Sequence, residues 1–182
     1  MTTSTKGAKW VIDPAHSKIG FKVKHLMIAN VQGSFKKFDA NVSIDNEDVS
    51  TLSVSVKINT ASISTEAEDR DTHLKSADFF DSEKYPNITF ESTGAKDLGD
   101  EMYELKGNLT IKETTKPITL TVEYGGTMTD PWGNTKAAFN VTGEVNRKDF
   151  GMVWNAALET GGVLVGDKVK LDCDVEFTKV AE

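Results

Sequence analysis

The side chains with the most chemistry in this chain fall in one short run. Between Ser64 and Phe80 it reads Ser-Thr-Glu-Ala-Glu-Asp-Arg-Asp-Thr-His-Leu-Lys-Ser-Ala-Asp-Phe-Phe, gathering five acids, an arginine, a histidine and two aromatics. Thr65-x-x-Glu68 has the form of a capping box, and Glu66, Glu68 and Asp69 suit the positive end of a helix. A helix running to about Lys75 or Ser76 places Arg70, His73 and Leu74 on one face, at spacings i, i+3 and i+4. Such a face either holds a lid in place through salt bridges or presents donors to an anionic or hydroxyl head group. Phe79 and Phe80 follow, either as core or as the lining of a lipid tunnel.

Two further charged or titratable side chains are placed by strand periodicity. His25 continues the inward series Ile19, Phe21 and Val23. It is either a histidine past the strand's end, satisfied by a backbone carbonyl, or a polar anchor in an apolar cavity. Arg147 continues the series Phe139, Val141 and Val145. An inward arginine requires a partner, because an unpaired buried charge is very costly. The candidates are a structural pair with Asp149, Asp71 or Asp69, or a ligand head group at a barrel mouth. Cys173 stands alone on the apolar side of its strand and reads as a small buried hydrophobe.

Motifs of common enzyme classes are missing. The chain has no P-loop, no dinucleotide glycine fingerprint and no Gly-x-Ser-x-Gly. His16, His25 and His73 share no metal-ligand spacing, so neither a metal nor another cofactor is expected. A carrier without catalysis is the leading reading. An enzyme on a hydrophobic substrate, with His25 or Asp71 as acid or base, is the second, and a solidly packed barrel that binds a protein partner is the third.

The elements that position these residues are strands. Alternation of apolar and polar residues recurs in Phe38–Ile44, Leu52–Ile58, Ile88–Phe90, Tyr103–Ile111, Ile118–Tyr124, Ala137–Arg147 and Val169–Phe177. Turn chemistry at Asp97–Asp100, Glu113–Pro117 and Asp130–Asn134 joins them through connections too short for parallel crossovers. Glycines inside strands, at Gly107, Gly125–Gly126 and Gly143, mark bends or close approaches, which favour a closed barrel over a sandwich. The expected fold is all-β, with eight antiparallel strands and a short helical segment around residues 65–82.

Composition sets the limits. The 182 residues fit one domain spanning 1–182, with residues 1–8 expected to be disordered. The net charge of −7 argues against nucleic acid and gives no support to a basic membrane-binding patch. No segment approaches the ~20 apolar residues of a membrane-spanning helix, so stable membrane insertion is not expected. The N-terminus has no apolar run of a signal peptide, so the protein is expected to be cytoplasmic if Met1 is the native start, and periplasmic if a leader was removed.

In order along the chain, several short motifs together resemble the YceI-like family of lipid- and polyisoprenoid-binding proteins. They are Asp13-Pro14-Ala15-His16-Ser17, Phe21-x-Val23-Lys24-His25-Leu26-Met27, Val31-x-Gly33-x-Phe35, Arg70-Asp71-x-His73-Leu74-Lys75-Ser76-x-Asp78-Phe79-Phe80-Asp81, Tyr85-Pro86-x-Ile88-x-Phe90, Gly107–Ile111, Lys116-Pro117 and Asn146-Arg147-x-Asp149-Phe150-Gly151. The resemblance implies an extended lipocalin-like barrel around an apolar tunnel, a long-chain isoprenoid or fatty ligand, and a homodimer. The candidate ligand-binding set is Phe21, Val23, His25, Phe35, Phe38, Arg70, His73, Leu74, Phe79, Phe80, Phe139, Arg147, Phe150 and Trp154.

Overall fold

In the computed structural model, which describes residues 7–158 and 161–181, the alternating segments close on one another. The strand segments are β1 (Ala8–Ile12), β2 (Lys18–His25), β3 (Ala29–Phe35), β4 (Phe38–Asp45), β5 (Asp48–Asn59), β6 (Ile63–Ser64), β7 (Asn87–Gly99), β8 (Met102–Ile111), β9 (Thr114–Thr129), β10 (Thr135–Asn146) and β11 (Val165–Lys179). Helix α1 (Glu68–Lys75) follows β6.

β1 and β2 are two halves of one stave, broken by a single 3-10 turn at Pro14–His16 that Asp13 caps through the Ala15 N–H. β3 and β4 form the neighbouring stave, paired with β2 and β1 and broken at Lys36 and Lys37. Counted as staves, the ring has eight members. It closes because β11 pairs with β10 on one side and with both β2 and β1 on the other. All pairings are antiparallel, and the barrel reading of the sequence holds.

Inside the wall, apolar residues follow the period-2 pattern that the sequence carries. On β10 and β11 the register sets Ala137, Phe139 and Val141 opposite Phe177, Val175 and Cys173, and all six face inward. The side chains of Phe35, Ile63, Phe90, Leu109 and Leu120 pack in one cluster, and Ile12, Ala40, Val175 and Phe177 in a second. At Gly107, which pairs with Ser92, the ring of Phe90 lies where a Cβ would stand. An aromatic covering a strand glycine in this way restores the packing the glycine lacks. Gly126, at φ +119°, sits at the β9–β10 register shift, where a side chain would strain the backbone.

Three expectations need correction. Residues 1–6 lie outside the described set, but Ala8 is already in β1, paired with Ile44, so the expected disordered run does not extend to residue 8. The loop expected at Glu113–Pro117 is a turn only at Lys112 and Glu113; Thr114 to Pro117 are strand, paired with Ile111 to Asn108. Pro117 fits there because β10 pairs with β9 only from Thr121 onward, which leaves this stretch with an open edge needing no donor. The capping box is absent. Ala67 is the N-cap, and Thr65 is engaged elsewhere.

Candidate functional site

A cavity of about 960 Å³ runs through the barrel. On β11 its wall includes Val165 at one extreme and Phe177 at the other. Twelve residue steps of about 3.3 Å give roughly 40 Å of strand, or about 30 Å along an axis to which strands tilt by about 40°. Dividing the volume by that length gives a mean section near 30 Å², roughly the bore for one slender chain. Its middle is lined by aliphatic and aromatic residues such as Leu105, Leu120, Val141 and Leu171. A packed interior is therefore excluded, and with it the premise of the third sequence reading.

Polar groups collect where strand pairing lapses. Beyond Ser34 and Phe35, which pair with β6, the edge of β3 away from β2 has no strand partner among the described residues. Helix α1, directly after β6, stands in this seam. Its anchor is a compact knot: the Asp71 carboxylate accepts from the Thr65 N–H at 2.8 Å and from its hydroxyl at 2.6 Å. Arg70 donates from Nε to the Thr65 hydroxyl and from Nη2 to the Thr65 carbonyl, both at 2.7 Å. Asp71 is thus a positioning residue for the helix. Arg70 keeps part of its guanidinium free of these bonds and lies on the cavity wall.

His73 and Leu74 share that wall with Arg70, as the i, i+3, i+4 spacing predicts. The His73 ring pairs with Asp78 at 2.9 Å and packs edge-on against Trp154, with ring centres 4.6 Å apart, and against Phe79 at 5.1 Å. Phe79 also touches Trp154, while Phe80 meets Phe35, which meets Phe21. Two aromatic groups therefore flank the helix, and all of these rings line the cavity.

Arg147 is 3% exposed, and its partners differ from those expected. Nε donates to the Gly166 carbonyl at 2.8 Å, and Nη1 donates to the carbonyls of Met152 at 2.7 Å and Trp154 at 2.8 Å. Nη2 reaches the Val165 carbonyl at 3.4 Å and lies 3.9 Å from Asp167. None of Asp149, Asp71 or Asp69 takes part. Burial pulls its pKa down and the nearby Asp167 carboxylate pushes it up. Arg147 touches the cavity, but its donors are committed to carbonyls. It staples the Met152–Trp154 loop to the start of β11, which presses Trp154 onto His73.

Of the remaining candidates, Phe21, Val23, His25, Phe35 and Phe139 line the cavity, and Phe38 and Phe150 do not. Phe150 is buried at 2% within the core packing, and Phe38 packs against the cluster of Ile12 and Ala40. His25 is still within β2, paired with Ala29 and Val165, so it is not past the strand's end. The sequence reading missed Trp10, Ile12, Met152 and Leu164, which also line the cavity. Trp10 and Ile12 alternate with Val11, a signal too short to read beside the Asp13–Ser17 break.

Two other groups carry chemistry. Cys173 lines the mid-barrel wall, half-buried, and burial pushes its thiol up to about 11. Outside the barrel, Asp13, His16 and Glu176 approach one another as metal ligands would, a proximity their sequence spacing hid. Lys136 already supplies the positive charge there, with Nζ 3.0 Å from Asp13 and 3.8 Å from Glu176.

The YceI-like domain matches residues 10–177. The chain belongs to the YceI-like family. A UPF0312 protein of Staphylococcus aureus is 41% identical over 170 residues, covering 93% of this chain and 96% of that protein. Among solved structures, the YCEI protein of Campylobacter jejuni superposes with a TM-score of 0.73 at 35% identity, over 93% of this chain and 96% of its own. BcnA of Burkholderia cenocepacia gives 0.79 at 25% identity, over 91% and 98%. A polyisoprenoid-binding domain from Saccharophagus degradans gives 0.65 at 12% identity, over 94% and 98%, a likeness of fold.

Proposed function

We propose that this protein is a non-catalytic carrier or store for one long-chain amphiphilic lipid: a polyisoprenoid, an isoprenoid quinone or a fatty-acid derivative. The observation that carries the proposal is the bore itself, about 960 Å³, apolar through its middle and polar where α1 fills the seam. Each five-carbon isoprene unit buried there contributes about 4 kcal/mol gross, at about 0.8 kcal/mol per carbon. The tail therefore supplies affinity, and Arg70, His73 and His25 orient the head. Arg147 acts one step removed, by holding Trp154. The polyisoprenoid-binding domain with the same fold favours a prenyl chain. A catalytic reading gains nothing from Asp71, whose carboxylate is occupied by Thr65.

Native mass spectrometry of gently extracted protein tests the proposal. The expected result is a mass increment matching one lipid, released on organic extraction and restored by adding a prenyl alcohol. Protein that carries no lipid and takes up no prenyl chain overturns it.

A further inference from the structure

The tip of the β2–β3 hairpin is built against the usual chemistry of its turn. Leu26 and Met27 both adopt left-handed backbone, at φ 53° and 64°, and the Ile28 N–H closes the turn onto the His25 carbonyl at 3.3 Å. Two consecutive left-handed positions favour Asn, Asp and Gly. The same chain meets that preference at the first of the two positions in two other hairpin tips, where Asn46 precedes Glu47 and Asp100 precedes Glu101, all at positive φ and all polar. At Leu26 and Met27 two large apolar residues take the strained positions and stay in solvent. Leu26, Met27 and Ile28 are 42%, 58% and 84% exposed. Strain held where large apolar side chains stay largely in solvent points to a use outside folding.

The tip does not stand alone. Leu26 donates its N–H to the Leu164 carbonyl at 2.9 Å, and the Met27 sulfur packs over Gly162. This brings exposed Val163 beside the hairpin. Exposed Val153 belongs to the loop that Arg147 ties to the start of β11, the strand paired with His25. The bore reaches this group, since His25, Leu164 and Val165 line it.

Lysines surround the tip despite the net charge of −7. Lys22 and Lys24 on β2 adjoin Lys168 and Lys170 on β11, with Lys148 close by. Asp167 engages Lys148 at 3.3 Å and Glu144 engages Lys168 at 3.7 Å; Lys22, Lys24 and Lys170 have no such carboxylate among the described residues. The acids Glu66, Glu68 and Asp69 lie beyond β3, on the α1 side. At the opposite end of the barrel the exposed apolar residues Leu98, Met128 and Trp132 lie instead within a few residues of Asp97, Asp100 and Asp130.

We propose that the β2–β3 tip, with Val153 and Val163, is a membrane-docking surface for anionic bilayers, seated at the mouth through which the lipid is exchanged. This rests on the lipid-carrier reading above. Apolar tips enter the interface and the lysines meet anionic head groups, the two contributions that hold peripheral proteins on membranes. A second copy of the chain fits less well. Five partly exposed side chains fall far short of the roughly 800 Å² per partner of a stable interface. A two-fold contact would also set the lysines against themselves.

Flotation of the full-length protein with vesicles tests the inference. Wild type is expected to float with phosphatidylcholine vesicles doped with phosphatidylglycerol, less with pure phosphatidylcholine, and less at high salt. Leu26→Asn/Met27→Gly installs the favoured turn residues, so it should fold at least as stably while binding the mixed vesicles at least tenfold more weakly. Lys22→Glu/Lys170→Glu, a cross-strand pair off the cavity wall, should weaken binding and flatten its salt dependence. Uptake of a fluorescent prenyl alcohol from solution should be unchanged in both variants. Wild type that takes up the probe but floats with neither vesicle overturns the docking surface and leaves the carrier reading standing. Flotation without probe uptake supports docking and overturns the carrier reading. If Leu26→Asn/Met27→Gly keeps its vesicle binding but converts a dimer to a monomer by light scattering, the patch is an interface between copies and the inference is wrong.

Discussion

Placing a tryptophan inside the bore should shorten the ligand it accepts. Val141 faces inward on β10, opposite Cys173 and beside Val122, near the middle of the wall. Val141→Trp projects a ring into a bore about 6 Å across, the width that follows from a section near 30 Å² in an eight-stranded barrel. An isoprene unit excluded past that point loses about 4 kcal/mol of burial, and leaving its bonds free returns about 1.5 kcal/mol of ordering cost. The net is about 2.5 kcal/mol, roughly a hundredfold in affinity per unit excluded. Displacement of a fluorescent probe by a length series of prenyl alcohols reads this directly. Wild-type affinity should climb with chain length, whereas the variant should reach a plateau at a shorter chain. Thr142→Trp, one residue along and on the outer face, is the control and should behave as wild type. Because the ring enters open volume, Val141→Trp should keep its melting temperature and escape the roughly 1–3 kcal/mol penalty of overpacking a filled core. A variant that loses that stability and keeps the wild-type length profile would refute a continuous bore.

Other perturbations follow from the same geometry. Arg147→Met leaves the carbonyls of Gly166, Met152 and Trp154 without their side-chain donor, while Val165 keeps Asn155, and should cost about 3 kcal/mol by urea unfolding, with a red shift in Trp154 emission as its loop detaches from His73. Cys173, its thiol pushed up to about 11 from an ordinary 9.0, should react with a water-soluble disulfide reagent at pH 8 about a hundredfold more slowly than a free thiol, and more slowly again once lipid is loaded. Asp13 is held at about 2, first by the His16 hydrogen bond and then by Lys136. Its stabilisation is therefore complete above the ordinary carboxylate value of 3.8 and lost as pH falls toward 2. Discounted for partial exposure, Asp13→Asn should cost about 1 kcal/mol at pH 7 and only a small part of that at pH 2, read from urea midpoints. Removing bound lipid should lower the melting temperature, and reloading at a hundred times Kd should restore about 2.7 kcal/mol.

The barrel was legible because its wall is one-sided. Apolar residues at every second position leave a strand one way to face, and a shift of one residue would turn the whole series outward. Ile19, Phe21, Val23 and His25 could therefore be assigned to the interior without knowing their neighbours. The helix and its cavity-facing triad were legible for a similar reason, as fixed spacing on a regular element. Arg147's place on the wall followed from alternation, but its partners did not. Its acceptors are backbone carbonyls, which every residue carries, so no side-chain pattern marks them. Phe38 and Phe150 failed at strand ends, where the pleat gives way to a break after Phe35 and to a 3-10 turn at Arg147–Phe150. Nor does net charge reveal a patch. Lysines from β2, β11 and the turn after β10 become neighbours only when the barrel closes.

A cavity of this size also constrains how the fold holds together. Core truncations cost about 24 cal/mol per Å³ of void left behind. Over about 960 Å³ that slope gives about 23 kcal/mol, above the 5–15 kcal/mol by which domains are stable. A barrel that treated its bore as missing core would not fold. The wall answers part of this through its closed hydrogen-bonded ring and the two packed clusters at Phe90 and Phe177. The rest falls to whatever fills the bore. Water finds few partners among Leu105, Val141 and Leu171, whereas a hydrocarbon chain gains contact with all of them. The contacts that hold the ligand and the contacts that complete the core are then the same, which is why chain length, thiol protection and melting temperature should all move together.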